Sequence, residues 1–255
     1  MEADDPDRSR ALAFLRDSDR AAAWRVADFP GGVMLLTPGF PRLWDANHVR
    51  LDRPWSGTAA GLHAAVDQAM GEADLHHRMV VCEDEADAER LTPGLRELGY
   101  AREDHLVMAV RRPSARQAPV AVEDVPVGAV GPIRAAIGTE AAGEEEVIRQ
   151  VLGWGLHLHK RLADRWLAAF ENGSPAACAR VLSDGLVGQV EDVATLPHLR
   201  GRGLATSVVL GGMDRLHAEG VELVLIVVDR AMGPVLLYRQ LGFDPLALVA
   251  RFRRS

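Results

Sequence analysis

The alternation of apolar and polar residues predicts a mixed α/β protein, most clearly in the second half of the chain. Three strand-like runs, 165–170, 176–182 and 186–195, are separated by Asn-Gly and Asp-Gly turn signals. Runs joined in this way predict an antiparallel meander. Apolar residues recur at helical spacing before the meander, over 144–161, and again after it, over 203–218.

The chain is predicted to end with a strand, a short helix and a last strand. Residues 221–228 are almost wholly apolar, which is typical of a buried strand, and 246–253 form the last strand. Between them Pro234 opens a short helix that Gly242 closes, since proline favours the first turn of a helix and glycine its end. This order of elements predicts helices around a mixed sheet.

The same ending occurs in the first half. A strand at 79–82, a helix closed by Leu98-Gly99-Tyr100, and a strand at 105–112 parallel the later strand, the helix closed by Leu241-Gly242-Phe243, and the last strand. We interpret this as an internal duplication. The alternative, that two helices end in Gly-aromatic by coincidence, stays open at this stage.

A polar stretch with two prolines, 111–119, divides the two halves and is typical of a linker. It predicts a first domain over 1–112, a linker over 113–119 and a second domain over 120–255. The 255 residues suffice for two such domains.

Composition excludes several classes of protein. With 48% hydrophobic and 25% charged residues the chain is neither disordered nor fibrous, and no apolar run approaches the ~18 residues of a membrane span. The net charge of −7 disfavours nucleic acid as a partner and fits a cationic small molecule better. The acidic start lacks the apolar core of a secretory signal, so we expect a cytoplasmic protein.

The cysteines and histidines do not predict a metal site. Cys82 and Cys178 lie in apolar strand-like runs and are expected to be buried thiols. No cysteine or histidine cluster has the spacing of a zinc site.

The segment before the helix at 203–218 has the composition of a phosphate-binding loop. Unpaired N–H groups at a helix N-terminus attract anions, glycines let the anion approach the main chain, and two arginines add positive charge. The residues are Arg200, Gly201, Arg202, Gly203, Leu204 and Ala205. An ordinary glycine-rich turn is the alternative, and Arg96, Gly99 and Ala101 match the same short pattern at the end of a helix, where an anion is disfavoured.

Three segments resemble the GNAT superfamily of acyl-CoA-dependent N-acetyltransferases: this loop, the strand before it, and Leu237-Tyr238-Arg239-Gln240-Leu241-Gly242-Phe243. The resemblance covers about residues 120–255. The resemblance implies an α/β fold with the GNAT-type mixed, largely antiparallel sheet flanked by helices, here in two tandem copies. It implies that this loop and the following residue, Thr206, bind the diphosphate of acetyl-CoA. It also implies that Val193, Ala194 and Thr195 pair with the pantetheine arm and that Tyr238 protonates the departing thiolate.

The sequence departs from the family pattern at two positions and throughout its first half. Ala231 stands where an asparagine is often found seven residues before the tyrosine, and Pro234 replaces a small residue. In the first half Leu95 corresponds to Tyr238, and no such loop precedes the helix at 58–70. The first copy is therefore expected to be degenerate and non-catalytic.

Acetylation of an amine requires a base, because an alkyl ammonium ion is neutral in only about one part in a thousand at pH 7. Glu191 is the favoured candidate, with the adjacent Asp192 and the loop residue His198 as others. Strand alternation places Glu191 and Asp192 on opposite faces, so at most one faces the cleft. A solvated pair, or an ion pair with Arg180, is the structural alternative. For Tyr238 the alternative is a core aromatic.

The expected function is direct transfer of an acetyl group from acetyl-CoA to a primary amine in a ternary complex, without a metal. The alternative is a CoA-binding sensor or partner protein without turnover, which Ala231 favours and Tyr238 disfavours. The acceptor is expected to be a small-molecule amine or a protein N-terminus. Neither nucleic acid nor a membrane is expected as a partner, and oligomeric state, a homodimer included, stays open.

Overall fold

The computed structural model describes residues 5–141, 144–231 and 233–255. The first four residues of the acidic start lie outside the described residues. No helix in these described ranges is long and apolar enough to cross a membrane.

The elements of the first copy follow one another from a long helix to a ten-residue strand. They are α1 (Pro6–Ala22), β1 (Arg25–Phe29), β2 (Gly32–Leu36), β3 (His48–Leu51), α2 (Ala59–Glu72), β4 (Arg78–Cys82), α3 (Glu85–Glu97) and β5 (Ala101–Val110). Side chains cap both later helices, because Thr58 Oγ1 accepts from Gly61 N and Asp84 Oδ1 accepts from Asp87 N.

The second copy begins with a short strand and two helices. Its elements are β6 (Val122–Val125), α4 (Gly131–Ala141), α5 (Glu145–Arg161), β7 (Arg165–Glu171), β8 (Ser174–Ser183), β9 (Val187–Thr195), α6 (Leu204–Ala218), β10 (Leu223–Asp229), α7 (Val235–Gln240) and β11 (Phe243–Arg254). Two 3-10 helices, Val127–Val130 and Pro197–Leu199, lie among them. The predicted meander is confirmed, since β7 pairs with β8 and β8 with β9, both antiparallel.

The internal duplication is visible in the pairing of the strands. From β1 to β5, and again from β7 to β11, the order is three strands, a helix, a strand, a helix and a strand. In both copies the three strands form an antiparallel meander whose last strand pairs in parallel with the strand after the helix, β3 with β4 and β9 with β10. The fold is thus α/β, with a mostly antiparallel sheet flanked by helices.

The repeated Leu-Gly-aromatic motif has the same conformation in both copies. Gly99 has φ +84° and Gly242 has φ +98°, so each ends its helix in the left-handed region that glycine adopts without a Cβ penalty. The aromatic residue that follows is buried in both cases, as Tyr100 and as Phe243. The motif therefore turns the chain from helix to strand and anchors the strand in the core.

The chain divides into two compact units, and neither is continuous in sequence. One comprises Met1–Phe14, Met108–Val227 and Pro234–Leu246, and the other comprises Leu15–Val107, Val228–Gly233 and Ala247–Ser255. In the second unit the end of β11 pairs antiparallel with β4, from Ala250 with Cys82 to Arg254 with Arg78. The end of the chain thus completes the sheet built by the first copy. The boundary at 113–119 stays a prediction about domains.

Candidate functional site

The predicted phosphate loop joins the end of β9 to the start of α6. Gly201 and Gly203 both have left-handed φ angles, +80° and +79°, which turn the chain sharply before Leu204 begins the helix. The first intrahelical bond runs from Ser207 N to Gly203 O at 3.1 Å. Within the described ranges the N–H groups of Gly203, Leu204, Ala205 and Thr206 make no hydrogen bond, and no side chain caps the helix. These amides stand at the positive end of the helix dipole and fit an anion.

Both arginines of the loop are held by carboxylates. Arg200 donates to Glu140 on α4, with NH1 2.8 Å from Oε1, and Arg202 NH1 lies 2.7 Å from Glu171 Oε1 at the end of β7. The hydrogen bond from Arg200 lowers the pKa of Glu140. These side chains are about half exposed, except for the less exposed Glu171. Each arginine can therefore readily leave its carboxylate for another anion.

A cleft of about 260 Å³ lies beside the first turn of α6. Its walls come from the segment before β6 and from the loop: Arg116, Gln117, Pro119, Gly203 and Thr206. The two walls are joined by a hydrogen bond of 3.3 Å from Val120 N to Ser207 Oγ. Of the four residues with unpaired amides, Gly203 and Thr206 thus line the cleft.

The strand before the loop, β9, pairs with its neighbour β10 along only part of its length. β9 pairs with β10 only from Val187 to Gln189, against Leu223 to Leu225. Within the described residues Ala194 and Thr195 in its continuation pair only with β8 on its other side, and Val193 lies where the register with β8 shifts. One edge of these three residues is therefore open to an extended ligand, as the resemblance implies for pantetheine. Thr195 Oγ1 is buried there with no partner in the described structure.

Strand alternation gave a wrong expectation for Glu191 and Asp192. Both carboxylates lie against the buried Arg180, with Glu191 Oε1 beside NH2 and Asp192 Oδ2 3.3 Å from Nε. The reason is a β-bulge, since Asp192 has φ +51° and the register with β8 shifts between Cys178 and Arg180. The ion pair between Glu191 and Arg180, which is the alternative to a catalytic role, is present. The role of Glu191 as a base stays a prediction.

Tyr238 lies on α7 with its ring in the core and its hydroxyl free. The residue is 6% exposed and its ring meets Phe243 edge-to-face at 6.1 Å. Burial raises its pKa to about 12. In the described part of the chain the hydroxyl has no hydrogen-bond partner, although it is not among the fully buried unpartnered atoms. The phenol thus stays protonated and its hydroxyl is not fully buried.

Two other side chains considered from the sequence contribute little. His198 is exposed on the 3-10 helix before the loop. Cys178 is fully buried, and desolvation raises its pKa to about 12, so its thiolate is not available as a nucleophile. Cys82 is also buried, and both thiols are free.

Several polar groups in the corresponding loop of the first copy have partners within the protein. Between β3 and α2, Trp55 N donates to Asp87 Oδ2 at 2.7 Å, Arg90 donates to the carbonyls of Trp55 and Gly57, and Thr58 caps the helix. Internal partners thus hold part of this loop, and the degeneracy of the first copy stays a prediction.

Sequence reasoning missed one group of possible metal ligands. Glu103 and His105 on β5 and Asp229 at the end of β10 place ligand atoms within 4.8 Å of one another. Glu103 already accepts from Arg253 at 2.9 Å, and burial followed by the charge of Arg251 lowers the pKa of His105. Glu103 and His105 are two residues apart on one strand face, the only signal in the sequence. We assign no metal to this group.

Comparisons with known proteins concern the family and the fold. Residues 134–243 match the family model of the acetyltransferase (GNAT) family. Among curated proteins no sequence match is found.

The fold of the whole chain is that of several solved structures. A GCN5-related N-acetyltransferase from Kribbella flavida is 19% identical with a TM-score of 0.66, over 99% of this chain and 97% of that one. A conserved protein of unknown function from Staphylococcus epidermidis is 13% identical with a TM-score of 0.68, over 89% and 92%. A tandem GNAT protein from the clavulanic acid biosynthesis pathway is 13% identical with a TM-score of 0.57, over 99% and 96%. The tandem GNAT fold is thereby confirmed.

Proposed function

We propose that the protein transfers an acetyl group from acetyl-CoA to a primary amine by direct attack in a ternary complex. The observation that carries this proposal is the row of unpaired amides from Gly203 to Thr206, which follows two left-handed glycines within the family-matched domain. When bound, acetyl-CoA supplies an activated thioester.

The loop would hold the diphosphate. The four amides donate hydrogen bonds to its oxygens, and Arg200 and Arg202 leave Glu140 and Glu171 to add charge-assisted bonds. Such bonds to charged groups are worth roughly 1.5–3 kcal/mol each, so a few of them offset the lost hydration of the diphosphate. Residues 116–119 would line the entrance to this site.

The open edge of β9 would hold the pantetheine arm and the thioester. Val193, Ala194 and Thr195 offer backbone groups on the side where β10 has separated. An N–H donor from this edge stabilises the negative charge that develops on the carbonyl oxygen during attack.

Glu191 and Tyr238 would move the protons. The carboxylate of Glu191, which lies against Arg180, attracts the cationic amine and takes the amine proton directly or through water. Tyr238 donates its proton to the sulfur as the thiolate leaves, since burial keeps the phenol protonated.

The acceptor would be a small amine or a protein N-terminus, which the net charge of −7 attracts. We do not propose nucleic acid or a membrane as a partner or a metal as a cofactor. A cytoplasmic location and a homodimer stay proposals.

The test is the release of thiol from acetyl-CoA in the presence of a broad panel of amines, with CoA binding measured in parallel. We expect release that depends on one class of amine. CoA binding without release under any acceptor would favour the second candidate, a sensor without turnover. Ala231 supports that candidate, because it has no side-chain amide and its backbone N–H already donates to Asp229 Oδ1 at 2.7 Å.

A further inference from the structure

The β-bulge in β9 lies between the segment that pairs with β10 and the open edge. Cys178 pairs with Ala194 and Arg180 with Glu191, so Asp192 and Val193 together lie opposite the single residue Ala179. Asp192 has φ +51°, a conformation that costs free energy for any residue with a Cβ atom. An interaction that holds the bulge is therefore required.

Arg180 supplies ionic contacts to both carboxylates at the bulge, although its Nε makes no hydrogen bond in the described structure. It is 4% exposed, and its guanidinium meets Glu191 through NH2 and lies 3.3 Å from Asp192 through Nε. In a regular strand the side chains of Glu191 and Asp192 point to opposite faces. Both reach one guanidinium only because the left-handed Asp192 turns the chain. The contacts of Arg180 with the two carboxylates and the bulge thus depend on each other.

The surroundings leave few other charges to replace Arg180. Its NH1 also lies 3.2 Å from Asp164 Oδ2, so three carboxylates surround it. Among described residues Arg134 is the other cation close to Asp192, at 3.9 Å. Removing Arg180 leaves Glu191, Asp192 and the buried Asp164 without the cation they share, and regular alternation would then separate Glu191 from Asp192.

We propose that Arg180 is a positioning residue for the acyl group. By holding Glu191 and Asp192 on one side of β9, it keeps the bulge that decides which N–H groups between Val193 and Thr195 face the open edge. A shift of one residue reverses the direction of every group beyond the bulge. This inference rests on the proposed function of that edge.

The test compares acetyl-CoA with CoA by calorimetric titration without an acceptor. The native protein should bind acetyl-CoA about three- to tenfold more tightly, as one additional hydrogen bond to the thioester carbonyl gives. Arg180→Met should lose this preference while its CoA affinity changes by less than about threefold, since the diphosphate loop is intact. Adding Asp192→Gly should restore the preference, because glycine adopts positive φ freely.

Arg50→Met is the matched control. Arg50 is 5% exposed and is held by Asp19 and Glu83 in the first copy. It should lower the melting temperature and leave the preference unchanged. If Arg180→Met does not fold, Arg180→Lys, which cannot meet three carboxylates with one planar fork, should weaken the preference.

The outcomes separate the two proposals. An unchanged preference in the folded Arg180 variant, or no preference in the native protein, overturns the positioning role. A native protein that shows the preference but releases no thiol with any amine contradicts the transfer reaction alone. Absence of binding to either ligand overturns both.

Discussion

Pro119 packs directly on Gly203. A Cβ atom at position 203 would lie 2.8 Å from Pro119 Cγ, closer than real Cβ contacts. The segment predicted as a linker is thus also a wall of the candidate diphosphate site. Gly203 is required both by this contact and by its φ of +79°.

Gly203→Ala should therefore destabilise the protein more than Gly201→Ala. Gly201 has a similar φ of +80° but has open space around its Cβ position, so alanine there should lower the free energy of unfolding by only about 1–2 kcal/mol. At 203 Pro119 must also move, which adds about 1 kcal/mol or more. Denaturant unfolding measures both variants, and equal losses would contradict the contact.

Replacing both Arg200 and Arg202 with alanine should weaken CoA binding by at least about tenfold with little change in fold. Glu140→Gln should tighten it by about two- to threefold, because a carboxylate no longer competes for Arg200. Calorimetric titration at low and high salt checks both results. An unchanged affinity of the double variant would exclude these arginines from the site.

Tyr238→Phe should lower turnover by about a hundredfold and leave CoA affinity within about twofold, because it removes a proton donor without changing packing. Tyr100→Phe is the matched control, since Tyr100 is also buried and its pKa is also raised to about 12. Equal turnover rates for the native protein and Tyr238→Phe would show that Tyr238 has a purely structural role.

Asp19 should make the protein sensitive to acid. Burial raises its pKa, but the charge of Arg50 and the nearby His48 outweigh this and lower the pKa from 3.8 to about 2. A group with a lowered pKa stabilises the fold above its unfolded pKa, and this contribution is lost as the pH falls from about 4 towards 2.

Asp19→Asn should thus destabilise the protein at neutral pH and lose less stability between about pH 6 and pH 3 than the native protein does. Asp17→Asn, at an exposed position of the same helix, is the control. Denaturant unfolding at the two pH values measures this loss of stability. An equal loss in the native protein and both variants would contradict the role of Asp19.

The sequence predicted local structure well where the signals are local. The hairpin between β7 and β8 turns at Asn172 and Gly173, both with positive φ, as Asn-Gly favours. The helix end at Gly242 follows from the same kind of signal.

Features that depend on distant residues could not be predicted. The bulge at Asp192 depends on a guanidinium twelve residues earlier in sequence, so alternation alone placed Glu191 and Asp192 on opposite faces. The pairing of β11 with β4 joins residues 168 positions apart, such as Ala250 and Cys82, and no local pattern encodes it.

The most direct test of the account is a crystal structure with acetyl-CoA bound. We predict diphosphate oxygens within hydrogen-bonding distance of the amides of Gly203 to Thr206 and the pantetheine arm along Val193 to Thr195. A diphosphate bound elsewhere, or a loop whose amides stay unbonded while acetyl-CoA is present, would contradict the account.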